Sequence, residues 1–155
     1  MKPEDYIRQA LILAQQAADN DEIPVGCLIV DPQTEEIIAS AHNQSQHIGD
    51  ALDHAEILCI KQACAKRHQN RLWNLDMYVT LEPCTMCAAA ISFARINHLY
   101  FGAYDEKGGA ISNGVRFYEQ PTCHHRPQVS GGILEQDCSK ILKSFFQNKR
   151  QPKED

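Results

Sequence analysis

The chain has 155 residues, of which 43% are hydrophobic, and a formal net charge of −5 at pH 7. Length and apolar content predict a single domain with its own core over residues 1–150, followed by a frayed tail at 151–155. The negative charge argues against a generic nucleic-acid binder, and no apolar run approaches the ~20 residues that a membrane span requires. Seven cysteines, an odd number without disulfide-framework spacing, favour a reducing cytoplasm.

Hydrophobic periodicity and turn signals divide the chain into helices and strands. Apolar residues recur at helical spacing near both ends, and short apolar runs between turn residues predict strands. A three-layer α/β/α sandwich with a central mixed five-stranded sheet accommodates this pattern. In chain order, the predicted elements are a helix after Pro3, strands at 25–31 and 37–41, a helix from His54, a strand at 76–81, a helix after Pro83, strands at 98–103 and 127–130, and a helix from Leu134.

His54 and Glu56 stand where a helix is predicted to begin, after the polar loop 43–53. Two residues apart on a regular helix point about 200° apart, because a turn takes ~3.6 residues. A residue at the helix entrance is not yet helical, however, so the imidazole and the carboxylate can converge on one ion.

Cys84 and Cys87 fall in the first turn of the helix that follows the strand at 76–81. Their spacing places both sulfurs on one side of the helix, and a helix N-terminus favours thiolates. Because both helix starts follow strands, we expect the two halves of the site at one edge of the sheet, where open α/β sheets bind ligands.

His54, Cys84 and Cys87 together form the ligand set of a catalytic zinc site, in which three protein ligands leave the fourth position for water. Zinc lowers the pKa of that water from about 15.7 toward neutrality, and Glu56 is then the acid/base that passes the proton to a leaving amine. The order H-x-E…P-C-x-x-C is a known signature of zinc nucleobase deaminases. The sequence therefore predicts one zinc ion per subunit and hydrolytic deamination.

The cysteine pair has two other interpretations. A closed structural zinc site requires a fourth ligand, and the cluster at 123–125 is the nearest source of one. A redox C-x-x-C is expected after the first strand of a βαβ unit, whereas this pair lies past the middle of the chain.

Two stretches of this acidic chain, 61–71 and 139–153, carry basic residues and no acidic ones. Two interpretations of these stretches are equally consistent with the sequence: they contact phosphate groups locally, or they form solvated helix faces.

With these residues in view, the chain resembles the cytidine deaminase-like superfamily and, within it, the bacterial tRNA adenosine deaminases. The resemblance covers roughly residues 6–150. It rests on the metal motif and, for the tRNA branch, on the loop around Asp105 and the terminal Phe145-Phe146 with nearby basic residues. The matching segments are Ile23-Pro24-Val25-Gly26, Asn43, His54-Ala55-Glu56-Ile57, the run 78–88, Phe101-Gly102-Ala103, Asp105, Lys107-Gly108, His125-Arg126, Gly132-Ile133-Leu134 and Phe145-Phe146.

The resemblance implies a homodimer that deaminates the wobble adenosine in a tRNA anticodon loop to inosine, since RNA loops can offer a flipped-out base. Packing of Phe145 in the core is an alternative to an RNA contact, whereas its neighbour Phe146 points elsewhere. By family position the substrate-contacting residues are Val25 on the ring, Asn43 hydrogen-bonded to the base, Glu82 and Pro83 on the pocket rim, Asp105 beside the target, and Phe145, Phe146, Lys149 and Arg150 on flanking nucleotides.

The chain departs from the resemblance at Asp53, where the family usually has a small residue. This carboxylate is expected to cap the following helix, or else to support His54 as a partner. Two rival functions stay open at this stage. One is a deaminase of a free base or nucleoside, such as guanine or cytosine, and the other is a non-catalytic subunit stabilised by zinc.

Overall fold

The computed structural model describes residues 1–46 and 49–150, so the expected tail at 151–155 lies outside the described residues. Within these ranges, four α-helices flank a sheet of five strands, and a short 3₁₀ turn spans Phe117–Glu119. The helices are α1 (Pro3–Asp19), α2 (Ala55–Arg67), α3 (Thr85–Phe93) and α4 (Glu135–Arg150), and the strands are β1 (Gly26–Asp31), β2 (Glu36–His42), β3 (Asp76–Leu81), β4 (His98–Ala103) and β5 (Gln128–Ser130).

The sheet is mixed, with strand order β2-β1-β3-β4-β5. Strand β1 runs antiparallel to both β2 and β3, while β3, β4 and β5 are parallel. The start of β1 and the ends of the other four strands therefore lie at one edge of the sheet. Every loop that leaves this edge can contribute side chains to one site, as the sequence predicted for an α/β sheet.

Two apolar layers, one on each face of the sheet, join it to the helices. On one face α1 and α4 pack on Leu28, Val30 and Tyr78, and on the other α2 and α3 pack on Ile29, Val79 and their neighbours. This arrangement is the predicted three-layer sandwich, and it is confirmed. Because helices cover both faces of the sheet, side chains on both faces of β1 and β3 are buried, which explains why these strand segments are nearly continuous apolar runs.

Two glycines let helices approach the sheet closely. A Cβ atom at Gly26 would stand 1.9 Å from the carbonyl oxygen of Ala10 in α1, and one at Gly102 would stand 2.3 Å from Sγ of Cys138 in α4. Larger residues at these positions would push α1 or α4 off the sheet. In the part of the chain that the structure describes, no helix is both long enough and apolar enough to cross a membrane.

Candidate active site

The three predicted metal ligands converge at the sheet edge. His54 is the N-cap residue of α2, Cys84 is the N-cap residue of α3, and Cys87 lies in the first turn of α3. Nδ1 of His54 is 3.6 Å from Sγ of Cys84 and 3.6 Å from Sγ of Cys87. A tetrahedral zinc ion with Zn–N near 2.0–2.1 Å and Zn–S near 2.3 Å requires N···S separations of about 3.6 Å. The donor set and its spacing therefore fit zinc.

The ligand group has three members among residues 1–46 and 49–150, all with donor atoms within 4.8 Å of one another. His54 and Cys84 also line a cavity of about 820 Å³, whereas Cys87 is buried behind them. The cluster at 123–125 does not join the group. Its Cys123 thiol donates to the carbonyl of His125 and contacts the Ser92 hydroxyl. A site with three ligands that opens on a cavity is the arrangement of a catalytic zinc centre rather than a structural one.

Glu56 lies in the first turn of α2 and lines the same cavity, although its side chain is only 4% exposed. Burial raises the pKa of Glu56 to about 7. The hydrogen bond from Cys87 lowers the pKa of Cys84 to about 4, and the same bond together with burial raises the pKa of Cys87. One thiolate thus forms readily beside His54, and metal binding would displace the remaining thiol proton.

Asn43 fixes the loop after β2 to the start of α2. Its side-chain Oδ1 accepts a hydrogen bond of 2.8 Å from the backbone N–H of Ala55, and the backbone N–H of Asn43 donates to the carbonyl of Val25. Because Oδ1 is used as an acceptor, the NH₂ of the amide is the group left to face the cavity that Asn43 lines.

The cap expected from Asp53 is not formed. His54, not Asp53, is the N-cap residue of α2, and the first turn of the helix is bonded by Asn43 instead. The Asp53 carboxylate accepts a hydrogen bond of 3.0 Å from the backbone N–H of Asp50, two residues beyond a segment (47–48) that lies outside the described residues. The expectation failed because the carboxylate closes its own tight loop, which competes with helix capping.

Glu82 follows β3 directly and is 2% exposed. Its carboxylate accepts hydrogen bonds from four backbone N–H groups and one side-chain amide of the segment 105–113. Burial acts to raise the pKa of Glu82, but these hydrogen bonds outweigh it and hold the pKa below its ordinary value. The neighbouring Pro83 is buried, and its carbonyl accepts the N–H of Ala110.

Val25 and Asp105 lie on the cavity wall, as the resemblance implies. Val25 is almost fully buried just before β1. Asp105 follows β4, and its Oδ1 accepts hydrogen bonds from the backbone N–H groups of Lys107 and Gly108. This turn fixes the Asp105 side chain at the cavity, although its proposed contact with substrate stays a prediction.

Helix α4 separates the residues that were expected on flanking nucleotides. Phe146 is 42% exposed and lines the cavity. Phe145 is half-buried in a second hollow against α1, and Nζ of Lys149 lies 5.8 Å above its ring and pairs with Asp21. Phe146 thus lies on the cavity side of α4, whereas Phe145 and Lys149 lie on the side that faces α1. The side chain of Arg150 lies outside the described residues.

The cavity wall also includes residues that were not predicted to contact the substrate. Lys143 and Phe146 are three residues apart in α4, so helical spacing from Phe146 was the available signal for Lys143. The loop after β4 adds further members, for which only proximity to Asp105 gave a signal. The additional residues on the wall are Ile23, Ser45, Gln46, Ala51, Leu81, Ala103, Tyr104, Lys107, Gly108, Ser139, Leu142 and Lys143.

The basic stretch at 61–71 has a structural explanation for part of its charge. Lys66 pairs with Glu36 at 3.2 Å, and Arg67 pairs with Asp31 at 3.0 Å. These pairs join the end of α2 to β1 and β2, so this stretch stabilises the fold rather than offering both cations to a ligand.

A three-layer α/β/α sandwich that groups one imidazole, two cysteine sulfurs and a buried carboxylate beside a cavity has the arrangement of the zinc-dependent deaminases. Residues 1–103 match the cytidine and deoxycytidylate deaminase zinc-binding region. The tRNA-specific adenosine deaminase of Agrobacterium fabrum is 50% identical over 94% of each chain. That of Rickettsia felis is 43% identical over 93% of this chain and 100% of its own. The chain belongs to the cytidine and deoxycytidylate deaminase family, and within it to the tRNA-specific adenosine deaminases; it is an enzyme.

Solved structures agree with this assignment. A tRNA:A34 deaminase studied for A-to-I editing at the wobble position superposes with a TM-score of 0.86 at 49% identity, over 89% of this chain and 99% of that one. A guanine deaminase from Nitrosomonas europaea superposes with a TM-score of 0.80 at 18% identity, over 93% of this chain and 84% of that one. The second likeness shows a shared fold alone.

Proposed function

We propose that the protein converts adenosine to inosine at the wobble position, A34, of a tRNA anticodon, with zinc held by His54, Cys84 and Cys87. The observation that carries the proposal is the convergence of these three donors beside Glu56 at a cavity that continues along α4. A cavity of about 820 Å³ is large for one purine base and leaves room for parts of neighbouring nucleotides. The names of the relatives support the same substrate.

When bound, zinc supplies a water molecule whose pKa lies near neutrality. Glu56 takes a proton from this water and delivers it to the purine ring nitrogen next to C6, and a second transfer through the same carboxylate protonates the amine. As the oxygen of the water bonds to C6, the C6–N bond breaks, so that adenosine and water give inosine and ammonia. Glu56 is suited to this work because its place in the first turn of α2 holds the carboxylate beside the metal ligands.

The cavity residues bind and orient the base. The NH₂ group of Asn43 donates to an acceptor on the nucleoside, and the isopropyl group of Val25 packs on the ring. Phe146 offers an exposed ring on which a flanking base stacks. Lys107 and Lys143 line the cavity and form no ion pair with any residue of the described ranges, so both are available to phosphate groups.

We also propose that the enzyme acts as a homodimer in the cytoplasm. Leu52, Trp73 and Phe93 are large apolar side chains that lie exposed, and a partner subunit is one way to cover such residues. Light scattering of the purified protein checks the dimer, for which twice the 17.5 kDa chain mass is expected.

The proposed cytoplasmic location is supported by the cysteines. All seven are free thiols, which suits a reducing compartment.

A substrate panel tests the proposed function. The zinc-loaded enzyme is incubated with an anticodon stem-loop carrying A34, with the same stem-loop carrying G34, and with free adenosine, adenine, guanine and cytosine, while released ammonia is measured. The proposal predicts ammonia and inosine with the A34 stem-loop and at least about a hundredfold lower kcat/KM with every free compound. Turnover of guanine or cytosine in preference to the stem-loop would establish the rival free-base activity. No turnover of any compound by protein with a full zinc content would establish the non-catalytic alternative.

A further inference from the structure

Glu82 is the most extensively bonded side chain near the metal ligands. Oε1 accepts the backbone N–H of Asp105 at 3.0 Å and Nδ2 of Asn113 at 2.8 Å. Oε2 accepts the backbone N–H groups of Ile111, Ser112 and Asn113 at 3.0, 2.9 and 3.1 Å. A carboxylate offers about four acceptor positions. Five donors therefore use its capacity fully and leave none for a ligand.

The segment 105–113 wraps tightly around this carboxylate. A Cβ atom at Gly109 would stand 2.5 Å from Cδ of Glu82, so the backbone of the segment approaches as closely as glycine permits. The main chain at Glu82 and Pro83 is hydrogen-bonded to the end of β4 and to the same segment. The N–H of Glu82 donates to the carbonyl of Ala103, and the N–H of Ala110 donates to the carbonyl of Pro83.

The same segment supplies one wall of the substrate cavity. Asp105, Lys107 and Gly108 line the cavity, and the turn that they form begins with the N–H that Asp105 gives to Glu82. Two residues after Glu82 the chain reaches Cys84, a proposed metal ligand. Glu82 thus joins the metal-binding turn to the wall that faces the substrate.

We propose that Glu82 is a positioning residue: its carboxylate binds no substrate, and it holds the segment 105–113 so that Asp105 and Lys107 face the substrate. This inference rests on the proposed RNA deaminase function and replaces the direct substrate contact expected for Glu82 from family position. A glutamine at this site would keep the shape of the side chain but would set an NH₂ group against backbone N–H donors. The segment would then lose part of its support while the metal ligands stay in place.

Hydrogen exchange on zinc-loaded protein tests the inference without reference to activity. In Glu82→Gln, the amides of Asp105, Ile111, Ser112 and Asn113 are expected to exchange at least about tenfold faster than in the parent protein. Amides of β1 and β3 should be unchanged, and the zinc content should remain at one per chain. Glu106→Gln removes an exposed carboxylate from the same segment and serves as the matched control, for which no change is expected. Unchanged exchange at the four amides in Glu82→Gln would overturn the inference.

Kinetics with the A34 stem-loop separate positioning from mere stabilisation. Glu82→Gln should raise KM at least about tenfold with kcat changed by less than about threefold. Asp105→Asn should also raise KM, and the double variant should be no worse than the poorer single one, because both changes act through the same wall. A loss of zinc or of active fraction with KM unchanged would show a structural role only, and additive effects on KM would show an independent substrate contact. If the parent enzyme does not deaminate the stem-loop, the proposed function is contradicted. The positioning role of Glu82 is then decided by the hydrogen-exchange rates alone.

Discussion

Oδ1 of Asn43 accepts a hydrogen bond of 2.8 Å from the backbone N–H of Ala55, which fixes the loop after β2 to the helix turn that carries Glu56. The bond gives Asn43 a structural task in addition to the proposed donation of its NH₂ group to the base. The two tasks can be separated, because one uses the oxygen of the amide and the other uses its nitrogen.

Asn43→Ala is expected to lower the free energy of unfolding by about 1 kcal/mol, because a helix N–H loses its acceptor, and to raise KM for the A34 stem-loop. Asn43→Asp retains an acceptor for Ala55 but loses the donor, so it should raise KM with a smaller loss of stability. Urea unfolding and steady-state kinetics on both variants check this. Equal KM values for Asn43→Asp and the parent enzyme would remove Asn43 from the base contacts.

Glu56→Gln is expected to reduce kcat by about 10³-fold or more, because the amide cannot accept and return a proton. The fold and the zinc content should persist, since the metal ligands are untouched. Metal analysis and circular dichroism provide the controls, and single-turnover deamination of the stem-loop provides the rate. Residual activity within about tenfold of the parent enzyme would rule out Glu56 as the proton carrier.

Lys143→Gln is expected to weaken binding of the stem-loop several-fold and to reduce the slope of log Kd against log salt by about 0.7, as for one phosphate contact on a single strand. Lys140→Gln is the matched control: Lys140 is also exposed in α4 but does not line the cavity. Lys149→Gln should have a smaller effect than Lys143→Gln, because Lys149 pairs with Asp21 on the α1 side of α4. Fluorescence anisotropy over a salt series measures all three. A reversed order of Lys143 and Lys149 would restore the contacts expected from sequence.

His98 should make stability depend on pH. Its ring stacks on Tyr100 with centroids 3.9 Å apart, and burial lowers the pKa of His98 despite the nearby Asp76 carboxylate, which acts in the opposite direction. A pKa that is lower in the folded state means that the unfolded chain binds the proton more readily. The contribution is therefore fully present above the unfolded value of about 6.5 and is lost as pH falls through the folded pKa.

The His98 contribution to the free energy of unfolding is thus expected to fall as the pH drops below about 6.5. Glu56, whose pKa is raised to about 7, acts in the opposite direction over the same range, so the His98 contribution is obtained by subtracting the His98→Gln profile from that of the parent protein. His124→Gln, at an exposed position, is the matched control. Urea denaturation across the pH range supplies the measurement. Identical slopes for His98→Gln and the parent protein would show that another group governs the dependence.

The layers and the strand positions could be predicted because their signals are local. Buried strands such as 76–81 and 98–103 are short apolar runs between turn residues, and the observed bounds of β3 and β4 are the same. The grouping of His54, Cys84 and Cys87 could be predicted for a different reason. Each of the two helix starts is signalled locally and sets the direction of only one or two side chains, and zinc binds a small set of ligand types, among them imidazole nitrogen and cysteine sulfur.

The contacts of Asp53, Glu82 and Lys149 could not be predicted, because each depends on a partner far away or on the closure of a loop. Glu82 meets donors more than twenty residues later, which its own sequence neighbourhood does not indicate. Lys149 lies in a basic stretch that suggested RNA, yet the packing of α4 beside α1 brings it to Asp21. Charge patterns identify cations but do not show which of them the fold already pairs.

Zinc X-ray absorption spectroscopy on the purified protein tests the central claim most directly, namely that three side chains hold a metal ion with one position open to solvent. The predicted first shell contains two sulfur atoms at about 2.3 Å, one imidazole nitrogen at about 2.0–2.1 Å and one further light atom that a competing small anion displaces. His54→Ala should remove the imidazole signal. A shell of four protein ligands that no added anion alters, or a folded protein that takes up no zinc, would contradict the account.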